Sequence, residues 1–391
     1  MKPFSELTIV EVSGSVAGAY AAKLFSDYGA RVVKVEPPEG DVSRRIGPEF
    51  GRSSALFEYL NTGKSSLALD TETASGREVL ARVCAAADIV IESFSPGPAE
   101  PLPDAVTSSA AGIRVRISPF GLTGPCRDYR STPFTDFAVA GHMYLTGEPD
   151  REPLQGAPDQ TLFAAGAHAY IGVLTALIAR EHTGRGQDID ISHFEVMTSV
   201  HQWTTVRYTH GGVIQTRVGN RYGSLHPSTL YECCDGWVAF GAVGNEPLSR
   251  FLALVGMEEI LEDERFNSGG GRFANADAFD AILGPWMLAH TVAEVVSLGQ
   301  AIRAAVAPVN DLKTLLDDEH LAAREFWARP VDTSDPAEYP GPPFRMSGHP
   351  WRLTSAPAVG EGGERWHRLA EADATVLRYA GLLVEDAREP E

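Results

Sequence analysis

Positive charge is scarce in this chain: 33 lysines and arginines stand against 52 aspartates and glutamates, a formal net charge of −19 over 391 residues. Nucleic-acid binding needs a basic face that displaces counterions, so that class is excluded. Small anionic ligands are not, because a local group of Lys and Arg acts within about 8 Å, one Debye length in physiological salt. Cysteine is sparse too. Of Cys84, Cys126, Cys233 and Cys234 only the last two are close, and no Cys/His group has zinc spacing. No metal site is expected, and reduced thiols in a cytoplasmic protein are. The start "MKPFSELTIVEVSG" lacks the charge and apolar run of a secretory leader. No uninterrupted apolar run approaches the roughly 18 residues of a membrane span, so no membrane association is expected. The chain has no Gly-x-Ser-x-Gly elbow and no P-loop, which leaves a hydrolase triad and a Walker-type nucleotide site without support.

What is present is ordinary globular composition, 43% hydrophobic and 22% charged, in a chain too long for one ordinary core. "LTIVEV" reads as a buried strand, "AYAAKLFSDYG" as a helix stopped by Gly29, and "ARVVKVE" as a second strand. "KSSLALD", "DIVIESF" and "GIRVRISPFG" add strands, with "TASGREVLARVCAAA" as a helix between the first two. Strands alternating with helices predict a doubly wound parallel sheet. A long helix follows from Thr161 to about Glu181, closed by a glycine cap at Gly184. "DIDISHF" reads as a strand leading into a helix over "FEVMTSVHQWTT". Asp235-Gly236, between two β-like runs, is a hairpin signal. The predicted organisation is a large domain beginning with residues 1–224, a smaller domain at 225–325, and a Pro/Gly-rich tail at 326–391 that returns to the large domain.

Four local features carry possible chemistry. "SGSVAGAYAA" lies between a strand and a helix, as a phosphate cradle or as tight strand–helix packing; its glycines are not spaced for a dinucleotide fingerprint. "VEPPEGDVSRR" puts Glu36 at a strand end with Arg44 and Arg45 beyond it, a ligand edge or local ion pairs. His142 and His168 are isolated and read as structural. "GAPDQTLFAAG" places Asp159 just before the long helix, as a helix cap or as a reactive carboxylate.

Taken together the motifs resemble the class III CoA-transferases, a family that includes formyl-CoA and carnitine CoA-transferases and α-methylacyl-CoA racemase. The matching segments run in order, from "LTIVEVSGSVAGAYAAKLFSDYGARVVKVEPPEGDVSRRIGP" through "LNTGKSSLALD", "DIVIESFSPG", "RISPFGLTGP" and "YIGVLTALIAREHTGRGQDIDIS" to "HPSTLYECCDGWVAFG" and "PGPPFRMSGHP". The resemblance implies a Rossmann-like large domain, a smaller α+β domain and an interlocked homodimer. It implies acyl-CoA as substrate, with no permanently bound cofactor. Carried over position by position, the CoA contacts fall on Val16, Ala17 and Gly18, on Leu69 and Thr71 near the adenine, on Ser93 and Phe94 along the pantetheine path, and on Arg130 near the phosphates.

In the transferases of this family a carboxylate attacks the acyl-CoA carbonyl. A mixed anhydride forms, CoA thiolate converts it to an enzyme thioester, and the acceptor acid reverses the steps. The racemases instead flank the α-carbon with a His and an Asp. The family aspartate stands four residues before the glycine that opens the helix segment, and here that position is Leu162. The nearest acid is Asp159, three residues upstream, and the racemase His has no counterpart. Three readings stay open: a CoA-transferase using Asp159 on a small carboxylic acid, a silent acyl-CoA-binding subunit paired with an aspartate-bearing paralogue, and a racemase-type enzyme.

Overall fold

The structure is a computed structural model that describes residues 2–50, 53–93, 112–221, 225–241, 244–333, 337–349, 351–364 and 366. The chain divides into two compact units. The first comprises residues 1–142, 155–213 and 325–391; the second comprises 143–154 and 214–324.

The first unit is built on a six-stranded parallel sheet. β1 (Thr8–Ser13), β2 (Arg31–Glu36), β3 (Ser65–Ala68), β4 (Ile89–Ser93), β5 (Ile113–Ser118) and β6 (Asp188–Ser192) lie in the order β3-β2-β1-β4-β5-β6. All five pairings are parallel. The β-branched runs that make these strands are buried on both faces, as parallel sheets require. Ile9, Ile89, Ile91, Val115 and Ile117 face one core; Val10, Val33, Val35, Leu67 and Val90 face the other. The order reverses between β1 and β4, and such a reversal opens a crevice at the carboxyl ends of the strands.

Helix α1 (Val16–Asp27) covers the first face and α2 (Ala74–Ala85) the second, through Val79, Leu80 and Val83. Downstream come α3 (Pro133–Val139), the long α4 (Gln160–Thr183), α5 (His193–Ser199) and α6 (Gln202–Gly211). The helix expected over "FEVMTSVHQWTT" is therefore two helices, broken at Val200 and His201. α4 ends at Gly184 in the left-handed conformation, φ 68°. Small residues let α4 lie close on α1: a Cβ on Gly166 would come within 2.5 Å of the Ala17 carbonyl oxygen. Among the described residues α4 is the single unbroken helix long and apolar enough to cross a membrane. It holds no uninterrupted apolar run, since Gly166, His168 and Thr175 break a stretch that carries no charge from Gln160 to Ala179. Its buried residues, among them Ala165, Ala169 and Val173, pack into the first core.

Buried charge braces the turn between β1 and α1. Lys34 Nζ reaches Glu11 at 3.0 Å, Asp41 at 3.0 Å and the Ser13 carbonyl at 2.7 Å. Lys64 Nζ reaches Glu11 at 2.6 Å, the Ala19 carbonyl at 2.9 Å and Asn61 Oδ1 at 2.9 Å. Burial alone would raise the Glu11 carboxyl, but the two ammonium groups outweigh it and hold it below the usual range. Burial lowers Lys64 to about 8 despite Glu11, while Lys34, drawn by Glu11 and Asp41, is held above its ordinary value against its own burial.

The second unit carries β7 (Thr229–Cys233), β8 (Gly236–Phe240) and β9 (Val306–Pro308) in an antiparallel sheet. Gly236 pairs with Cys233, so the hairpin loop is Cys234-Asp235, one residue before the expected Asp-Gly turn. Helices α7 (Asn245–Leu254), α8 (Ala276–Leu288) and α9 (Val292–Ala301) bury Phe240, Phe251, Phe279 and Met287 around it. Arg272 is fully buried and donates to the His226 and Phe266 carbonyls and to Asn245 Oδ1.

Candidate functional site

The strand ends at the sheet's reversal point carry hydroxyls. Ser13 and Ser93 are register partners at the carboxyl ends of β1 and β4. Ser13 Oγ donates to the Ser15 carbonyl at 3.0 Å and accepts from the Ser15 N–H at 3.1 Å. Ser15 in turn caps α1 by accepting from Ala17 N at 3.3 Å. A tight turn thus presents Val16, Ala17 and Gly18 at the first turn of the helix. A Cβ on Gly18 would collide with Ser13 Oγ and with Ser93 Cβ, so glycine here is a packing requirement as well as a way to bring backbone N–H groups near a ligand. Ser93 Oγ is buried and has no hydrogen-bond partner among the described residues. A buried hydroxyl without a partner costs about 1–3 kcal/mol, so it marks a place where something else completes the bond.

The other expected contacts are scattered around this point. Leu69 follows β3; its N–H bonds the Glu36 carbonyl at 2.8 Å and its side chain is buried in the second core. Thr71, two residues on, is half-exposed. Arg130 is exposed and makes no ion pair among the described residues. Phe94 lies outside the described residues. The pair Arg44 and Glu36 resolves as a local ion pair: Arg44 grips both Glu36 oxygens, at 2.8 and 2.6 Å, with its guanidinium 3.8 Å from the centre of the Phe57 ring.

The start of α4 differs from a capped helix. Asp159 occupies the cap position but sits in the left-handed region at φ 60°, and its side chain makes no cap bond. The cap reading of Asp159 is corrected here: a capping side chain reaches first-turn N–H groups from an extended backbone, which Asp159 does not have. Left-handed backbone at a residue other than glycine is strained, although Asp tolerates it better than most. Leu162, at the position where the resemblance puts a carboxylate, is 6% exposed and lies in the core with Ala17, Ile91 and Ala165. The histidines are engaged in structure. His168 Nδ1 pairs with the Ala164 carbonyl at 2.9 Å, and the His142 ring stacks on His201 with centroids 4.0 Å apart.

One ionisable pair escaped the sequence reading. Asp136 on α3 and His193 at the head of α5 are both about 1% exposed and meet at 3.1 Å, with Ser131 Oγ donating to the other Asp136 oxygen. They are 57 residues apart, and no local pattern announces them. Among the described residues no group of His, Cys, Asp and Glu could hold a metal ion.

Comparison with known proteins fixes the family. The model of CoA-transferase family III matches residues 4–362. The subunit BbsE of succinyl-CoA:(R)-benzylsuccinate CoA-transferase of Thauera aromatica is 31% identical, with 92% of each chain covered. The acetyl-CoA:oxalate CoA-transferase of Acetobacter aceti is 29% identical over 92% of this chain and 94% of its own. Among solved structures, a CAIB/BAIF family protein from Brucella suis superposes with a TM-score of 0.84 at 30% identity, covering 94% of this chain and 99% of the other. The chain therefore belongs to CoA-transferase family III.

Proposed function

We propose that this chain takes part in moving CoA between an acyl-CoA and a small carboxylic acid, with the CoA lying over the reversal point of a Rossmann-like sheet. The observation that carries the reading is the buried Ser93 hydroxyl, without a partner among the described residues, against the tight turn at Ser13–Gly18. A pantetheine arm needs such isolated polar groups in an otherwise close-packed crevice. Val16, Ala17 and Gly18 would offer first-turn N–H groups to the diphosphate. Arg130, without an ion-pair partner among the described residues, suits a phosphate. Leu69 and Thr71 would flank the adenine and Phe94 the pantetheine. On this reading the first unit is the CoA-binding domain, completed by the tail from 326, and the residues around 225–325 form the small domain. The strand order β3-β2-β1-β4-β5-β6 supports the Rossmann-like assignment.

Within that reading Asp159 is the candidate nucleophile. It is a half-exposed acid on a strained backbone with no cap bond, at the mouth of the helix that carries Leu162. Its carboxylate would have to come within about 3–3.5 Å of the thioester carbon. A second reading has its own support: Leu162 is buried in the core, and the relative from Thauera aromatica is named as a subunit. This chain would then hold CoA while an aspartate-bearing partner supplies the nucleophile. A racemase-type enzyme is the weakest reading, since the acid and the imidazole that do meet, Asp136 and His193, are bonded to each other rather than set apart around a substrate carbon.

Both readings involve a partner, a second copy in the first and a paralogue in the second. Trp203 is 67% exposed on α6, beside exposed Val200, Val206 and Tyr208, and Ile171 and Ile178 are exposed on α4. Apolar side chains gathered in this way are usual where another chain docks. A cytoplasmic location fits a reaction on CoA thioesters.

The test is incubation of the purified chain with succinyl-CoA, acetyl-CoA and oxalyl-CoA in hydroxylamine, followed by mass spectrometry of acidic residues. A hydroxamate on Asp159 makes it the nucleophile and ends the silent-subunit reading. CoA binding by calorimetry without any hydroxamate favours the subunit reading. Absence of CoA binding, in this chain and in its Ser93→Ala variant alike, overturns the site.

A further inference from the structure

We propose that the amino-terminal end of α4, with the Thr161 hydroxyl, binds a carboxylate group of the acid or acyl substrate, an inference that rests on the transferase reading above. Phe163 is the first residue of α4 whose N–H has an acceptor among the described residues, the Asp159 carbonyl at 3.0 Å. The N–H groups of Gln160, Thr161 and Leu162 have none among the described residues; Asp159 does not cap and the first turn holds no acidic side chain. Twenty-four residues of aligned peptide dipoles end at this point, and a helix amino terminus left open in this way attracts an anion.

A second observation points the same way. Thr161 is 2% exposed, and its Oγ1 has no hydrogen-bond partner among the described residues. Thr161 also lines a small cleft with Phe134, Phe137, Gln155, Gly156 and Gln160. The cleft holds about one water-sized group, which suits one end of a carboxylate rather than a whole acid. Gly156 makes the opening: a Cβ there would come 2.8 Å from Gln160 Oε1 and 3.1 Å from the Phe137 ring. Asp136, on the wall helix, is occupied by Ser131 and His193, and Asp159, the acid that precedes the first turn, makes no side-chain cap bond to its N–H groups. Backbone N–H groups and the Thr161 O–H then donate, with the half-buried Phe137 ring bordering the bonds on one side. Leu162, next in sequence, turns into the core instead, so the same helical turn has one residue sealed by packing and one left for a ligand.

The carboxylate has two sources, a free acceptor acid or the far end of a dicarboxylic acyl group, and binding measurements on the full chain separate them. Thr161→Val keeps the shape and removes the donor. Gln160→Glu places a like charge in the same turn, where it does not disturb the helix. Calorimetry with succinate, succinyl-CoA and butyryl-CoA is expected to show about tenfold weaker binding in Thr161→Val for whichever of succinate or succinyl-CoA uses the site. Butyryl-CoA, which lacks the second carboxylate, is expected to be unchanged. Gln160→Glu should weaken the same ligand. Unchanged affinity of both variants for succinate and succinyl-CoA overturns the proposal. Carboxylate binding that depends on Thr161 in a chain that binds no CoA would leave this site standing while the transferase reading fell. CoA transfer with the same acid KM in wild type and Thr161→Val would do the reverse.

Discussion

Two polar regions touch opposite sides of the same helix and are built on opposite rules. On one side of α1, Glu11, Lys34, Lys64, Asp41 and Asn61 are buried and every charge has its partners, with Lys64 also holding the Ala19 carbonyl. On the other side, the start of α4 packs Gly166 and Leu162 near Ala17, yet among the described residues it leaves three N–H groups and the Thr161 hydroxyl without acceptors. The first region has no bond left to give to a ligand. Its role is to hold the turn at Ser13–Gly18, since Lys34 bonds the Ser13 carbonyl. The second has bonds left over at a strained residue. Satisfied charge reads as scaffold, and unsatisfied polarity reads as site.

The largest effect expected from this contrast is in the charged cluster. Glu11→Gln leaves two buried ammonium groups short of their shared counter-charge and should cost about 3–5 kcal/mol in urea unfolding. The pH dependence has a definite sign. The Glu11 and Asp41 carboxyls are held below their ordinary values in the folded chain. Their stabilisation is therefore fully present above their unfolded values, near 4.5 and 3.8, and is lost as pH falls through the lower folded values. The gap between wild type and Glu11→Gln should narrow as pH falls below 4.5, the unfolded value, and go on narrowing as pH falls through the lower folded value. A gap that does not change with pH would mean the cluster is not held by charge.

Next in size is Leu162→Ala. If Leu162 is a core residue first, truncation costs about 2–3 kcal/mol and leaves CoA affinity alone. If it walls the thioester pocket instead, stability changes little and acyl-CoA binding moves.

The strands of the first unit were legible because their β-branched, apolar runs need burial on both faces whatever their order. The order itself was less so. That Ser13 lies beside Ser93 follows from β4 docking against β1 across a gap of 80 residues, and no local pattern carries that information. The family register located Leu162, but only packing shows that its side chain is in the core. Of the two readings of Asp159, composition makes the cap plausible, and the left-handed backbone that disables it is set by the loop. Asp136 and His193 were invisible for the same reason as Ser13 and Ser93. Residues 143–154 join the second unit with no shift in composition to mark them.

A smaller change separates packing from chemistry where α4 crosses α1. Gly166→Ala places a methyl 2.5 Å from a backbone oxygen, which cannot rotate away. The cost should be about 1–3 kcal/mol, read as a lower Tm. If the helices part to admit the methyl, the turn at Val16–Gly18 moves with α1 and CoA affinity falls as well. Lost affinity at unchanged Tm would mean that the crossing tolerates the methyl and that Gly166 faces the ligand.

The smallest expected effect on stability carries the most weight for the mechanism. Asp159 has φ 60°, which glycine adopts without strain. Asp159→Gly therefore removes left-handed strain while adding unfolded-state entropy, and the two effects, each near 1 kcal/mol, should nearly cancel. No cap bond is lost, because none is made. The variant consequently separates chemistry from folding: Tm should move by no more than a few degrees. If Asp159 is the nucleophile, hydroxylamine trapping and CoA transfer vanish in a chain that still folds and still binds CoA. If transfer by a mixed assembly with an aspartate-bearing partner survives Asp159→Gly unchanged, then the partner carries the nucleophile. The unsatisfied end of α4 would in that case serve to bind and orient substrate rather than to react with it.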